Sequence, residues 1–364
     1  MRIGVDAREL CGHPTGVGRY LGGLLHEWAS NERATCREFV LYAPKPLAVA
    51  LDAHRFSTRL VSGSPDTWWE QMRLPRAAAD DHLDVFFSPA YTAPLTLRVP
   101  SVVAVHDLSF VAHPEWFRAR EGIRRRLLTR HATARARAIL TISEFSRREL
   151  VDRLGVPESR VHVIPPGIAR PAVARGAADR EPRVLFVGSI FNRRHVIDLI
   201  RSFAPLARVH RGASLDIVGD NRSYPHEDLQ RAIDVEQLAG QVRWHQFVSD
   251  EQLGELYGRA RAFAFLSEYE GLGLTPLEAL AAGVPPVVLD TPIARESCGE
   301  AAVYVSLDRI ATATQALEQA LFDESTRVRV LAAAPAVLAK YWWPRAAAET
   351  LTVIESAAAR SGQS

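Results

Sequence analysis

The sequence predicts an α/β protein made of two doubly wound, Rossmann-like domains, and three observations lead to that class. Short apolar, β-branched runs alternate with longer stretches of helical periodicity, which is typical of parallel sheets built from right-handed crossover units. The chain has 364 residues, about the length of two ordinary domains. A segment rich in Pro, Ala, Arg and Gly, from Pro165 to Pro182, shows no periodicity and indicates a linker.

Thirteen strands are expected, in two groups separated by the linker. The first group is Arg2–Ala7, Glu38–Tyr42, Arg59–Ser62, Val85–Ser88, Ser101–His106, Ala138–Ser143 and Val161–Pro165. The second group is Arg183–Gly188, Ser214–Gly219, Val242–Phe247, Ala262–Ser267, Pro285–Asp290 and Ala302–Ser306.

These elements predict an N-terminal domain over residues 1–170 and a C-terminal domain over residues 171–340. Residues 341–364 carry helical periodicity from Trp342 to Ala359, and this helix is expected to pack back towards the N-terminal domain. Ligands of such sheets bind outside the carboxyl ends of the strands. With two domains facing each other, the natural site is the cleft between them.

The composition excludes several classes of protein. A hydrophobic fraction of 47% and a charged fraction of 24% match a soluble globular protein. Lys and Arg number 44 against 42 Asp and Glu, and this near balance argues against a nucleic-acid-binding protein. Lysine occurs only at Lys45 and Lys340, so any anion site must use arginine, backbone N–H groups or helix ends.

The cysteines and the apolar runs indicate a cytoplasmic protein. Cys11, Cys36 and Cys298 lie far apart and form neither a zinc spacing nor a disulfide framework. The opening residues MRIGVDA are predicted as a strand rather than a signal peptide. No apolar run approaches the ~18 residues of a membrane-spanning helix.

The segment from Ser267 to Leu280 carries the strongest functional signal. A strand runs into the glycine loop Glu270–Gly273 and then into a helix, which Thr275 is expected to cap and Gly283 to end. Glycines let backbone N–H groups approach an anion closely, and a helix start adds partial positive charge. This pattern predicts a phosphate site.

Two carboxylates flank the predicted phosphate site, Glu270 on the loop and Glu278 in the helix. Carboxylates repel a phosphate, so their better use is to accept hydrogen bonds from sugar hydroxyls. A phosphate with hydroxyls on both sides describes a nucleotide sugar. The alternatives are a capping box between Thr275 and Glu278, and a solvated loop charge at Glu270.

Two further loops follow strands and point to anion binding. Arg193 and Arg194 follow Arg183–Gly188, where two guanidiniums can neutralise a diphosphate and stabilise it as a leaving group; exposed charges at a helix start are the alternative. Gly16 and Gly18 follow the first strand, and a plain turn is the alternative there. A dinucleotide fingerprint would need a third glycine where Leu21 stands, so NAD binding is disfavoured.

Other polar segments have simpler interpretations. His106 and Asp107 end an apolar strand, and by pattern alone such a histidine is structural. The acidic run Asp80–Asp84 has no spaced partner and is interpreted as a solvated helix end, so no metal site is predicted. The pair Trp68 and Trp69 either lines an acceptor site or covers the core.

Residues Arg118–Arg137 hold eight arginines and one glutamate, with apolar residues interleaved. A basic amphipathic helix of this kind can lie on an anionic membrane surface. The alternative is a solvated surface helix.

Glu270 and Glu278 are separated by seven residues inside the segment EGLGLTPLEALAAGVPPVV. This pattern is similar to the E-x7-E signature of glycosyltransferase family 4. The members of that family are retaining enzymes with the GT-B fold. The resemblance covers nearly the whole chain and is strongest to a bacterial subgroup that often transfers mannose or related deoxyhexoses in surface polysaccharide assembly. The other similar segments are MRIGVDAREL with PTGVGRY, VVAVHDLSF, TISEFSRREL, VHVIPPGI, RVLFVGSIFNRRH and FVSDEQLGELY.

The resemblance implies a two-domain GT-B enzyme that binds a nucleotide sugar, with a GDP-sugar such as GDP-mannose favoured, and that needs no metal or cofactor. It implies a glycan or lipid-linked acceptor and a cytoplasmic enzyme that is peripheral on the inner face of the membrane. The donor-binding residues implied in the C-terminal domain are Arg193, Arg194, Glu270, Gly271, Leu272, Gly273, Leu274 and Glu278, and Gly16, Gly18 and His106 are implied on the acceptor side.

The resemblance also implies catalytic roles for His106, Asp107, Arg194 and Glu270. His106 would line the cleft near the transferred sugar, and Asp107 would orient it by hydrogen bonding. Arg194 stands where the family has a lysine. In the front-face course implied for such enzymes, the leaving phosphate oxygen accepts the proton of the acceptor.

Three other functions are weighed against this one. A nucleotide-sugar 2-epimerase would need its own carboxylates for proton transfer at C2, and none is recognised. A phosphorylase would need a cofactor lysine, and the chain has only two lysines. A two-lobed sugar-binding protein would normally carry an export signal.

Overall fold

The structure is a computed structural model that describes residues 1–12, 16–30, 36–47, 54–169, 180–306 and 312–359. Its strands are β1 (Arg2–Asp6), β2 (Glu38–Ala43), β3 (Phe56–Leu60), β4 (Val85–Ser88), β5 (Ser101–Ala104), β6 (Ala138–Thr141), β7 (Val161–Val163), β8 (Arg183–Val187), β9 (Ser214–Val218), β10 (Val242–His245), β11 (Ala262–Phe265), β12 (Pro286–Leu289) and β13 (Val303–Val305). Its helices are α1 (Gly16–Ser30), α2 (Leu74–Ala78), α3 (Ser109–Ala112), α4 (Ala119–Arg135), α5 (Glu144–Leu154), α6 (Val196–Val209), α7 (Leu229–Val235), α8 (Asp250–Arg259), α9 (Leu274–Ala281), α10 (Pro292–Cys298), α11 (Ala313–Phe322), α12 (Glu324–Leu338) and α13 (Trp343–Ala359).

The chain divides into two compact units, each built around one parallel sheet. Unit 1 is Met1–Gly167 together with the chain from Tyr341 onward, and unit 2 is Ile168–Lys340. The sheet of unit 1 has the order β3-β2-β1-β4-β5-β6-β7, and that of unit 2 has the order β10-β9-β8-β11-β12-β13. The predicted fold class, two doubly wound α/β domains, is confirmed.

The strand sequences explain why the sheets are buried on both faces. In β4, β6, β8, β11 and β12 every residue is buried. Such continuous apolar strands belong to parallel sheets covered by helices on both sides. The strand order reverses between β1 and β4 in unit 1 and between β8 and β11 in unit 2. Loops that leave the carboxyl ends of these strands border the crevice where such sheets bind ligands.

All thirteen predicted strands are present, and one of them is displaced. The expected strand Arg59–Ser62 begins instead at Phe56. Phe56 is its one buried residue and stacks on Phe39 with the ring centroids 4.9 Å apart. The other four residues are exposed because β3 lies at the edge of its sheet, so the apolar signal is weak and the expected start was too late.

Helix α13 packs within unit 1, against α1 and the strands β4, β5 and β6. The indole N–H of Trp28 in α1 donates a hydrogen bond to the carbonyl of Ala347 at 3.0 Å. A Cβ at Gly23 would lie 2.5 Å from the ring of Trp343, so the absence of a side chain there allows the close approach of the two helices.

Across the described ranges, no helix combines the length and the apolar character that crossing a lipid bilayer requires.

Candidate functional site

Two loops of unit 2 meet at the point where the order of its strands reverses. The first leaves β8 and carries Arg193 and Arg194; the second leaves β11 and carries Glu270 and the glycines. The backbone N–H of Glu268 donates a hydrogen bond to the carbonyl of Arg193 at 2.9 Å. The sequence-predicted arginines and glutamate therefore lie in one place because β8 and β11 are neighbours in the sheet.

Arg194 and Glu270 form an ion pair in this site. The Nε of Arg194 donates to Oε1 of Glu270 at 2.8 Å, and its Nη1 donates to the carbonyl of Ser189 at 2.8 Å. The hydroxyl of Ser267 donates to the same Glu270 oxygen at 2.9 Å. The guanidinium of Arg194 lies 4.9 Å from the ring centroid of Phe265. These contacts fix both side chains, which are 13% and 17% exposed.

Arg193 lies beside this pair. Its guanidinium carbon is 4.3 Å from the ring centroid of Phe191, within the range of a cation–π contact. The guanidinium of Arg194 is 5.5 Å from the same ring. Both arginines are thus held on one aromatic side chain at the end of β8.

The helix that follows the glycine loop begins differently from the prediction. Gly273, with φ of 83°, is the N-cap of α9, so Thr275 lies inside the first turn and does not cap the helix. The Thr275 Oγ1 is buried without a hydrogen-bond partner among the described residues. The predicted cap at Thr275 is therefore wrong, and its capping box with Glu278 is not formed. The left-handed backbone of Gly273 is the physical reason, because it lets the chain turn two residues earlier.

The end of α9 agrees with the prediction. Gly283, with φ of 72°, follows the last residues of the helix, and its N–H donates to the carbonyl of Leu280 at 2.9 Å. Glu278, in the middle of this short helix, is half-buried. The loop residues Gly271 and Leu272 are buried, whereas Gly273 and Leu274 are half-buried.

Sequence reasoning missed His195, which joins the two loops of unit 2. Its ring Nε2 contacts Oε1 of Glu268 on the β11–α9 loop, and its Nδ1 lies 3.0 Å from Oδ2 of Asp198 in α6. Its backbone has φ of 49° and ψ of 40°, in the left-handed region. The available signal was a histidine at a helix start with an aspartate three residues later, but nothing in the sequence pointed to Glu268.

The charge of His195 is set by these two carboxylates. Burial opposes the charged ring, but hydrogen bonds with Asp198 and Glu268 outweigh it and raise the pKa of His195 above its ordinary value. The same contact with His195 lowers the pKa of Asp198. On the neighbouring β9–α7 loop, burial raises the pKa of Glu227. His195 is therefore more cationic near neutral pH than a free histidine.

In unit 1, His106 is buried at the end of β5 and is held by a backbone carbonyl. Its Nε2 donates to the carbonyl of Pro89 at 2.7 Å, and its ring packs edge-on against Tyr20 and Tyr91. Burial lowers the pKa of His106. It is therefore a neutral imidazole that carries its proton on Nε2.

Asp107 does not orient His106, contrary to the role implied for it. Its carboxylate accepts hydrogen bonds from the hydroxyl of Tyr91 at 2.9 Å and from the backbone N–H and hydroxyl of Ser109 at 2.9 and 2.7 Å. Asp107 therefore fixes the start of α3 and Tyr91, and its hydrogen bonds go to Tyr91 and Ser109.

The glycines Gly16 and Gly18 lie in the first turn of α1 rather than in the loop before it. Gly16 is exposed and Gly18 is buried. The preceding residues of that segment, 13–15, lie outside the described ranges. A role for the two glycines in binding stays a prediction.

A second charged cluster in unit 1 was not foreseen. The Nη2 of Arg8 lies 2.9 Å from Oδ2 of Asp6 and 2.6 Å from Oε1 of Glu70, which also accepts the hydroxyl of Thr92 at 2.5 Å. Burial raises the pKa of Asp6 to about 6, against the attraction of Arg8 and with the repulsion of Glu70. One guanidinium thus serves two buried carboxylates at the carboxyl end of β1.

The remaining polar segments also take definite positions. Trp69 is 1% exposed and donates its indole N–H to the carbonyl of Val61 at 2.6 Å, so it belongs to the core, whereas Trp68 is 62% exposed. In the acidic run, Asp80 and Asp84 are exposed as expected, but the interpretation is wrong for Asp81. It is buried and accepts hydrogen bonds from Tyr42 and Arg59, both at 2.5 Å.

No group of three or more His, Cys, Asp or Glu side chains in the described part of the chain is arranged to hold a metal ion.

The basic segment forms α4, and one of its faces is exposed throughout. Arg120, Ile123, Arg124, Leu127 and Arg130 follow the helical spacing of three and four residues, and all five are exposed. Ile123 and Leu127 are 49% and 53% exposed. The face therefore presents two aliphatic side chains among three guanidiniums.

Two family descriptions match the chain, one for each half. The family described as Glycosyltransferase Family 4 matches residues 14–170, and Glycosyl transferases group 1 matches residues 172–336. An alpha-D-kanosaminyltransferase of Streptomyces kanamyceticus is 30% identical over 264 residues, which cover 67% of each chain.

Two relatives named as mannosyltransferases also match. The O-antigen chain mannosyltransferase B of Escherichia coli is 25% identical over 287 residues, 75% of each chain. The GDP-mannose:cellobiosyl-diphosphopolyprenol alpha-mannosyltransferase of Xanthomonas oryzae pv. oryzae (strain PXO99A) is 29% identical over 269 residues, 72% of this chain and 69% of its own.

Solved structures share the fold at lower identity. WaaG, a glycosyltransferase involved in lipopolysaccharide biosynthesis, has a TM-score of 0.74 at 16% identity, over 97% of this chain and 99% of its own. Anabaena HepE, solved in complex with UDP-glucose, has a TM-score of 0.74 at 17% identity over the same shares.

Proposed function

The chain belongs to glycosyltransferase family 4, and from that membership we propose that it transfers mannose or a related deoxyhexose in surface polysaccharide synthesis. The donor in this proposal is a nucleoside-diphosphate sugar, and the acceptor is a glycan or a lipid-linked molecule. The configuration at the anomeric carbon is retained. The choice of mannose follows the names of two relatives. In this proposal unit 2 binds the nucleotide sugar and unit 1 the acceptor.

The observation that carries the proposal is the grouping of Arg193, Arg194 and Glu270 at the crevice of the unit 2 sheet. Nη2 of Arg194 has no acceptor among the described residues, because the hydrogen bonds that this side chain makes there use Nε and Nη1. A diphosphate oxygen is the acceptor that matches this fork best. Glu270 then lies beside the phosphate, where it accepts hydrogen bonds from hydroxyls of the transferred sugar.

The course of the reaction in this proposal is the front-face one that the family resemblance implies. The bond between the anomeric carbon and the diphosphate oxygen breaks as the acceptor oxygen bonds to the same carbon on the same face. The acceptor proton passes to the leaving phosphate oxygen, and the guanidiniums of Arg193 and Arg194 stabilise the charge that develops there. His106, neutral and already donating to Pro89, contributes packing and polarity rather than a proton.

We further propose a GDP-sugar as the donor. The relative from Xanthomonas is named for GDP-mannose, whereas the HepE structure holds UDP-glucose. Calorimetric titration with GDP, UDP, ADP and dTDP tests this choice: GDP should bind at least about tenfold more tightly, a difference of ~1.4 kcal/mol. A preference for another base removes GDP from the proposal, and no binding of any nucleoside diphosphate overturns the donor site itself.

The exposed face of α4 extends the proposal to a membrane surface. Basic residues beside an anionic bilayer contribute about 1 kcal/mol each, and exposed aliphatic side chains add apolar contact. Within the described ranges Arg120, Arg124 and Arg130 make no ion pair that would compete with lipid phosphates. We propose that this face holds the enzyme peripherally on the inner face of the cytoplasmic membrane, near a lipid-linked acceptor.

A further inference from the structure

We propose that His195 is a positioning residue of the donor site, whose imidazolium form holds the loop of Arg193 and Arg194 against the loop of Glu270 by bridging Asp198 and Glu268. This inference rests on the proposed nucleotide-sugar function of unit 2, and it adds a residue and a dependence on pH to that site.

The position of His195 makes it a link between the two loops. It follows Arg194 directly and precedes the first residue of α6. Glu268 lies two residues before Glu270 on the other loop. The contacts that join the two loops include the Arg194–Glu270 ion pair, the backbone bond between Glu268 and Arg193, and the contact of His195 with Glu268.

Both ring nitrogens of His195 face carboxylates, and this decides its protonation state. A neutral imidazole has one N–H, so it can donate to Asp198 or to Glu268 but not to both. The other nitrogen would then present a lone pair to a carboxylate oxygen, which is repulsive. Only the imidazolium, with two N–H groups, satisfies both contacts.

The charges around His195 favour the imidazolium. Asp198 lies on its own helix, Glu268 on the β11–α9 loop and Glu227 on the β9–α7 loop, while Arg201 pairs with Asp198 at 3.3 Å. Three carboxylates thus outnumber the one guanidinium on Arg201. The dipole of α6 disfavours a cation at its N-terminus, where His195 lies. The surrounding carboxylates compensate for this unfavourable interaction.

The contact with Glu268 explains how protonation reaches the donor site. When His195 loses its proton, one of its two carboxylate contacts is lost, and the link between the loops is weakened although the backbone bond and the Arg194–Glu270 pair remain. The spacing between the guanidiniums and the sugar-binding carboxylate is then less well fixed. Donor affinity should therefore be full below the ordinary pKa of histidine, 6.5, and should weaken as the pH rises through the raised pKa of His195.

Calorimetric titration of the full-length protein with GDP and with UDP, between about pH 6 and about pH 9, tests this. For wild type the affinity of the tighter nucleotide should fall about fivefold across the range, the lower end of ordinary coupling between two sites. The comparison variant is His195→Asn, because asparagine tolerates the left-handed backbone but cannot become charged. Its affinity should resemble that of wild type at high pH and should lack this fall.

Ionisation of the nucleotide phosphate lies near the same range, so the difference between the two proteins is the measured quantity. A His195→Asn variant with the same pH dependence as wild type overturns the proposal. So does a variant that is uniformly weaker at every pH, since that indicates a purely structural role.

A second variant, Glu268→Gln, keeps the proposal testable if His195→Asn does not fold. Glutamine still accepts a hydrogen bond from His195 but no longer attracts its charge, so the fall in affinity should move to lower pH. An unchanged midpoint overturns the role of Glu268. If wild type binds neither GDP nor UDP at any pH, the proposed function fails instead, and the two failures are thus distinguishable.

Discussion

The Nε of Arg194 donates to Oε1 of Glu270 at 2.8 Å, so the cation expected to bind the diphosphate is held by the carboxylate expected to bind the sugar. The two groups therefore act as one unit. Removal of either leaves the other with an uncompensated charge in a half-buried site, which costs more than a lost contact alone.

Arg194→Ala should weaken the binding of the preferred nucleoside diphosphate by about 2 kcal/mol, roughly thirtyfold, because a charged hydrogen bond is lost and Glu270 is left to repel the phosphates. Calorimetric titration measures this. Arg211→Ala, which removes an exposed arginine of the same unit, is the matched control and should bind normally. Equal affinities of the two variants would remove Arg194 from the donor site.

The double variant Arg194→Ala with Glu270→Gln should bind the nucleotide no more weakly than Arg194→Ala alone, because the repelling charge has also been removed. Contacting residues are generally non-additive in this way. Losses that simply add would show that the two side chains act independently.

Glu278→Gln should raise the KM for the donor about tenfold, since a charged acceptor for a hydroxyl becomes a neutral one, a change of ~1.4 kcal/mol. The melting temperature should stay near that of wild type, because glutamine has nearly the same size as glutamate and keeps a side-chain oxygen that accepts hydrogen bonds. Steady-state kinetics and thermal unfolding of the same preparation check both statements. A normal KM would leave Glu278 without a role in donor binding.

Thr275→Val should leave the melting temperature unchanged or raise it, because it replaces a buried hydroxyl without a partner by a methyl group of similar size. If Thr275 were the helix cap, the same change would cost about 1 kcal/mol. A clear drop in melting temperature would therefore restore the capping interpretation.

Two buried groups of unit 1 should give stability opposite dependences on pH. His106 has a lowered pKa, so its contribution is present above its ordinary pKa of 6.5 and is lost as the pH falls. Asp6 has a pKa raised from 3.8 to about 6, so its contribution is fully present below 3.8 and is lost as the pH rises through about 6.

Urea unfolding at about pH 5 and about pH 7 separates the two effects. The measured quantity is the change in the free energy of unfolding from about pH 7 to about pH 5. Relative to wild type, this change should be more favourable to the folded state in His106→Gln, which lacks the group that acidification destabilises. It should be less favourable in Asp6→Asn, which lacks the group that acidification stabilises. Variants whose difference from wild type does not change with pH would show that neither group titrates with folding.

The protein should float with vesicles that contain phosphatidylglycerol at low salt and should be released at high salt, since screening weakens the attraction of exposed arginines. Arg120, Arg124 and Arg130 changed together to Gln should abolish flotation. The control changes Arg211, Arg231 and Arg243 to Gln, which removes the same charge from unit 2, and should float normally. Wild type that stays in solution at low salt would identify α4 as a solvated face.

The sequence was sufficient to predict the two sheets, because fully buried parallel strands leave continuous apolar runs and the linker has no periodicity. Together with the family resemblance it also placed Arg194 and Glu270 in one site, and the two side chains are in contact, while their binding roles stay predictions. The predicted ends of elements were least reliable where the local signal is weak. The start of β3 was misplaced because this strand has only one buried residue. The helix expected to start after Thr275 starts earlier, because Gly273 adopts a left-handed conformation.

The contacts of His195 and Arg8 could not be predicted because their partners are far away in the sequence. His195 contacts Glu268 across 73 positions, and Arg8 contacts Glu70 across 62. Charged side chains separated by such distances carry no periodic pattern, and each resembles an ordinary surface residue in the sequence. The parallel arrangement of the strands brings these side chains together, so the pairs can be identified from the structure but not from the sequence.

Because α13 belongs to unit 1 but follows unit 2 in the chain, unit 1 is completed after unit 2 during synthesis. Trp28 donates its indole N–H to Ala347, 319 residues further along the chain. While unit 2 is being synthesised, α1 lacks the helix that covers it, because α13 follows unit 2 in the chain. The unit that begins first is therefore completed after unit 2 has been made, and until then the face of α1 that α13 covers lacks its partner.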